Sequence, residues 1–105
     1  MSVNSDELVW LKSEGNYVEI ALKKGTVLRK QLIRNTLHSV EATCSSQKFV
    51  RIHRSYIVNL DFARKLVLDG SNYELMLKDI DLKLPVSRTL ARELKQMIES
   101  SYKQS

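Results

Sequence analysis

Phe49-Val50-Arg51-Ile52-His53-Arg54-Ser55-Tyr56-Ile57-Val58-Asn59-Leu60 decides how this chain is read. Val50 and Ile52 alternate with Arg51 and His53, the period-two pattern of a strand with one buried and one wet face. Ser55 ends the alternation, and Tyr56, Ile57 and Val58 form an apolar anchor ahead of Asn59. An anchor directly after an arginine-bearing turn holds the cations outward in fixed positions. That arrangement suits gripping an anion.

Working outward toward the N-terminus, Met1 to Asp6 is polar and expected to fray. Leu8 to Leu11 reads as a buried strand, and Ser13-Glu14-Gly15-Asn16 as a turn. Tyr17 to Leu22 alternates, Lys23-Lys24-Gly25 turns the chain, and Thr26 to Lys30 returns it as another strand. From Leu32 the period changes: Leu32, Ile33, Thr36, Leu37 and Val40 predict a helix to about Ala42 that dissolves into Thr43-Cys44-Ser45-Ser46. The entry to this helix lacks a good capping residue.

On the C-terminal side, Phe62 to Leu68 reads as a strand and Asp69-Gly70-Ser71-Asn72 as a hairpin turn. Tyr73, Leu75 and Leu77 alternate with polar or wetter neighbours, as do Ile80, Leu82 and Leu84. Pro85, which has no N–H to donate, is expected to stop the last strand. Ser87 then caps a helix whose apolar stripe is Leu90, Leu94, Met97 and Ile98, a stripe expected to be core rather than interface. The fold class is mostly β (α+β): six or more short strands and two helices, one of them C-terminal.

The 105 residues fit a single domain, 1–105 with its core over about 6–98. No apolar run reaches the roughly 18–20 residues of a membrane helix, and no signal-peptide pattern opens the chain. The one cysteine, Cys44, has no internal disulfide partner, and cytoplasmic location is the expectation. Net charge is +5, unevenly spread: residues 1–22 carry −3, residues 23–65 carry +8, and residues 66–105 balance. A positive middle third attracts polyanions and speeds their encounter.

Enzyme chemistry lacks its parts. All three glycines (Gly15, Gly25, Gly70) sit at predicted turns, so no glycine loop cradles a phosphate. His38 and His53 have no cysteine or carboxylate at metal-ligand spacing, so neither a metal nor a cofactor is expected. His53 and Ser55 can share a strand face, but no third group or oxyanion donor accompanies them. Tyr17, Tyr56, Tyr73 and Tyr102 form no clustered stacking face for single-stranded bases, and core-edge packing is expected of each.

Three segments stand in a telling order. Glu14-Gly15-Asn16-Tyr17-Val18 follows a strand, the central Phe49–Asn59 motif comes next, and Pro85-Val86-Ser87-Arg88 precedes a helix. In that order they resemble the LytTR DNA-binding domain over about Asp6 to Ile98, and the R-x-H-R-S-x-x-V-N pattern is the specific part. The resemblance implies an elongated arrangement of small antiparallel sheets that reads duplex DNA with inter-strand loops. It implies base contacts at Asn16, Arg54 and Arg88, the outer two loops in successive major grooves and the central one over the minor groove between. It also implies a bacterial response-regulator output module, normally joined to a receiver and served by a sensor kinase, and dimers on tandem sites. No receiver is present in this sequence.

The residues support that reading on their own terms. Arg88 lies beyond a proline-stiffened turn, and its planar fork matches guanine O6 and N7. Arg54, pinned by Tyr56 and Val58, suits a narrowed minor groove, with a sheet-edge ion pair as its other reading. Asn16 serves turn geometry as readily as base contact. Arg29, Lys30, Arg51, His53 and Ser55 are expected phosphate contacts that set register. The alternative function is a basic regulatory module that docks an acidic protein and binds DNA non-specifically.

Overall fold

The alternating apolar positions resolve into two antiparallel sheets in the computed structural model, which describes residues 6–44 and 48–103, with side chains as far as residue 100. In chain order these residues form β1 (Leu8–Glu14), β2 (Tyr17–Lys24), β3 (Val27–Arg34), α1 (Leu37–Thr43), β4 (Phe49–His53), β5 (Tyr56–Asn59), β6 (Ala63–Asp69), β7 (Asn72–Leu77), β8 (Ile80–Val86) and α2 (Arg88–Lys103). A single 3-10 turn, Leu60–Phe62, joins β5 to β6. The larger sheet has the order β3-β2-β1-β5-β4 and the smaller one β6-β7-β8. The expected elongation is slight, since the principal extents are 33 × 28 × 26 Å. None of the described helices is long and apolar enough to cross a membrane.

The period-two pattern gives the large sheet two apolar faces, and each is covered differently. Leu11, Val18, Ile20 and Ile57 pack under Leu37 and Val40 of α1. Trp10, Ile52 and Val58 pack on the other side, against Leu75 and Leu84 of the small sheet and Ala91, Leu94 and Ile98 of α2. Each such aliphatic side chain contributes about 1.5–3 kcal/mol on burial. The α2 stripe is therefore core, as expected, although it centres on Ala91-Leu94-Ile98 and leaves Met97 exposed.

Among the described residues one polar side chain lies inside. Asn59 has no exposed surface; its Nδ2 donates to the Leu8 carbonyl (2.8 Å) and its Oδ1 accepts from the Asp61 N–H (2.9 Å). The residue that ends the central motif thus ties β5 to the start of β1 and caps the 3-10 turn.

Several boundaries differ from expectation. The helix predicted from Leu32 begins at Leu37, because β3 continues to Arg34 in unbroken register with β2, ending in the pair Tyr17 and Arg34. Thr36, read from sequence as part of the apolar stripe, is the N-cap: its Oγ1 accepts from the Ser39 N–H at 3.1 Å. Leu32, 59% exposed, belongs to the sheet and shares the helical spacing by coincidence. Ser13 and Glu14 extend β1 rather than turning, and β8 runs through Pro85 to Val86. Proline is tolerated there because β8 is an edge strand. Ser45 and Ser46, and the N-terminal stretch before Asp6, lie outside the described residues.

Candidate nucleic-acid interface

Strand direction sets which turns share an edge. β1 runs antiparallel to both β2 and β5, so the β1–β2 turn (Gly15-Asn16) and the β4–β5 turn (Arg54-Ser55) emerge at the same end of the large sheet. The Ser13 N–H, donating to the Ser55 carbonyl at 2.8 Å, fastens one to the other. The small sheet reaches this end too: the Ser87 N–H donates to the Ile52 carbonyl at 2.9 Å, placing the first residue of α2, Arg88, beside the end of β4. Asn16, Arg54 and Arg88 are all exposed, the first two on turns at this end and the third directly after the Ser87 that bonds β4. With strands about 4.8 Å apart, the two turns are separated by roughly 10 Å.

The two turns are built differently. Gly15 takes φ +62°, the positive value that a tight two-residue hairpin needs at its first central position, and Asn16 sits at the tip. Neither Arg54 nor Ser55 has positive φ, and the β4–β5 register slips between Arg51 and His53. This turn lacks the twist-matched geometry, so its polar groups find partners in side chains. His53 Nδ1 accepts from the Ser55 N–H at 3.1 Å. Arg51 donates through Nε to the His53 carbonyl (3.1 Å) and through Nη2 to the Arg54 carbonyl (2.9 Å). Its remaining nitrogen, Nη1, pairs with Glu41 Oε1 on α1 at 3.0 Å.

The alternation therefore puts Ile52 inside as expected, but Arg51 and His53 are half-buried rather than free on a wet face. Burial, then the neighbouring Arg54 and Arg51 guanidiniums, hold the His53 imidazole below the ordinary histidine value of 6.5. The accepting Nδ1 fits a neutral ring with its proton on Nε2. As pH falls through about 6.5 the unfolded chain takes up this proton before the folded one, so stability drops with pH. The contribution is complete above that value and lost below it. His53→Asn, which keeps an acceptor near the Nδ1 position without titrating, is expected to lose less stability between pH 7.5 and pH 5 in urea unfolding. An identical loss in both proteins would assign the effect elsewhere.

Arg88 Nη2 reaches the Ser71 carbonyl in the β6–β7 turn at 3.3 Å. Arg88 and His53 line one open groove of about 550 Å³ together with Ser71, Tyr73, Glu74 and Ser87. Arg29 and Lys30 are exposed but lie five and four residues back along β3 from Arg34, so they stand apart from this edge. Lys30 Nζ is 5.6 Å from the Trp10 ring centre. The cation the sequence reading missed is Arg34. It is exposed at the end of β3 opposite Tyr17, on the outer side of the Asn16 turn. Extending the expected strand by four residues, from Lys30 to Arg34, would have found it. Tyr17, at 44% exposed, also departs from the core-edge packing expected of it, whereas Tyr56 and Tyr73 follow it.

This β-scaffold brings short turns and exposed cations to one end of the large sheet. Residues 1–99 match the LytTr DNA-binding domain model, and the chain belongs to that family of DNA-binding domains of transcriptional regulators. It is 30% identical over 97 residues to the sensory transduction protein LytT of Bacillus subtilis, covering 91% of this chain and 38% of that protein. It is 28% identical over 97 residues to the heme-containing CO-sensing transcriptional regulator RcoM 2 of Paraburkholderia xenovorans, covering 91% and 35% respectively. The chain thus spans little more than a third of these relatives. A solved LytTr DNA-binding domain from Bacillus cereus shares the fold, with a TM-score of 0.75 at 19% identity over 93% of this chain and 86% of that one.

Proposed function

We propose that this domain binds duplex DNA sequence-specifically, as the output of a two-component response regulator, and reads base edges with Asn16, Arg54 and Arg88. The observation that carries the proposal is the common edge: three turns from two sheets, fastened by the Ser13–Ser55 and Ser87–Ile52 hydrogen bonds. The Arg54 turn lies roughly 10 Å from the Asn16 turn on one side and beside the Ser87–Ile52 contact on the other. A B-form minor groove is about 6 Å wide, so a centre turn facing it leaves its neighbours on the major-groove side of the flanking phosphates. Exposed Arg34 prolongs the line beyond Asn16 and supplies a phosphate contact there. Ser55, and the Nε2–H of neutral His53, supply contacts at the centre. Function on tandem sites, as a dimer and joined to a receiver, belongs to the same proposal.

Selecting bound duplexes from a random pool, then titrating enriched and random duplexes at two salt concentrations, tests it. The expected result is a specificity ratio of about 10³ or more. A ratio near one would instead favour a basic module that docks an acidic protein. The phosphate assignment has its own check. Arg34→Ala is expected to flatten the slope of log K against log salt by about one unit. Lys30→Ala, back from the edge, is expected to leave that slope nearly unchanged. Equal slopes for the two variants would place the duplex across the sheet rather than along its end.

A further inference from the structure

Arg51 was expected to touch phosphate, yet its guanidinium is engaged within the protein. Its fork takes two successive carbonyls of the turn that carries Arg54, at 3.1 and 2.9 Å, and its third nitrogen takes Glu41 at 3.0 Å. The turn needs this help, since neither central residue has the positive φ that would close a two-residue hairpin unaided. Glu41 stands in the last turns of α1, and α1 is itself seated on the large sheet by Leu37 and Val40. A chain of contacts therefore runs from the body of the domain to the backbone of the central turn.

We propose that Glu41 and Arg51 are positioning residues for DNA recognition: the carboxylate of α1 aims the guanidinium, which fixes the direction in which Arg54 is presented. This rests on the DNA-reading role given above. Two physical expectations separate it from a phosphate-contacting Arg51, and they have opposite signs. If Arg51 met phosphate, Glu41 would be an unfavourable charge beside a polyanion, and its removal would tighten binding to every sequence. If Glu41 aims Arg51, its removal weakens binding to the selected sequence alone.

The test compares wild type, Glu41→Ala, Arg51→Lys and the double variant on the selected duplex and on random duplex, at two salt concentrations. Thermal unfolding of each checks the fold. Glu41→Ala and Arg51→Lys are each expected to lose roughly five- to tenfold in affinity for the selected duplex. Affinity for random duplex and the salt slope stay within error. The double variant is expected to lose no more than either single one, because both break the same clamp. Hydrogen exchange at the Ser55 amide gives a reading in the absence of DNA, and is expected to quicken in both single variants.

Tighter binding of Glu41→Ala to both duplexes, or additive losses, overturns the proposal, as does unchanged Ser55 exchange. A wild-type domain that does not distinguish the two duplexes ends the DNA-reading role instead. In that case the exchange result alone still decides whether the clamp orders the turn.

Discussion

Asn59→Ala is expected to cost about 2–3 kcal/mol of folding stability, measured by urea unfolding at neutral pH. The side chain is wholly buried and supplies both a donor, to the Leu8 carbonyl, and an acceptor, for the Asp61 N–H. Truncation strands both backbone groups, and each stranded buried group costs about 1–3 kcal/mol, less where water reaches it. The Asp61 amide is the more accessible of the two, which holds the total below the sum of two full penalties. Asn59→Asp sharpens the test. It keeps the acceptor for Asp61 but faces the Leu8 carbonyl with a second oxygen and buries a charge. It is expected to be worse than alanine at pH 7 and to recover as the carboxylate is protonated at lower pH. An alanine variant within about 0.5 kcal/mol of wild type would show that this residue is incidental.

Arg88→Ala is expected to weaken binding to the selected duplex by about 1–3 kcal/mol, and to relax preference at a single base position. The guanidinium is exposed, and its contact with the Ser71 carbonyl is long at 3.3 Å, so stability should change by less than about 0.5 kcal/mol. Arg88→Lys separates charge from shape. Lysine keeps the cation but cannot form the parallel pair of bonds that guanine O6 and N7 accept. The lysine variant should therefore keep the salt dependence of wild type while losing most of the sequence preference. Undiminished preference in both variants would remove Arg88 from the reading set.

Much of this arrangement is legible in the residue pattern. Period-two alternation located most of the strands, because their apolar residues face packed partners. The three glycines marked three of the tight turns, since their backbone requires positive φ. The order of the three motifs located the turns that share an edge. What the pattern could not show was competition between neighbours. Leu32 and Ile33 fit a helical stripe as well as a strand end, and only the pairing of Arg34 with Tyr17 decides for the strand. Thr36 was placed one side of a boundary it defines.

Charge was harder to read than apolarity. Arg51, Arg54 and Arg88 look alike in sequence, and nothing local says that one is bound to two backbone carbonyls while the others are exposed. Arg29 and Lys30 were expected to contact phosphate alongside Arg51, His53 and Ser55. The sheet separates them from the edge, because a strand carries its residues away from its end at about 3.4 Å each. Arg34 was lost for the same reason that α1 was begun too early.

The hairpins at this edge are only two residues long, and the junction into α2 is shorter still. Such short connections hold the exposed side chains close to the strand ends that carry them. Exchanging single side chains at these fixed stations therefore alters the chemistry the edge presents without altering the spacing between stations.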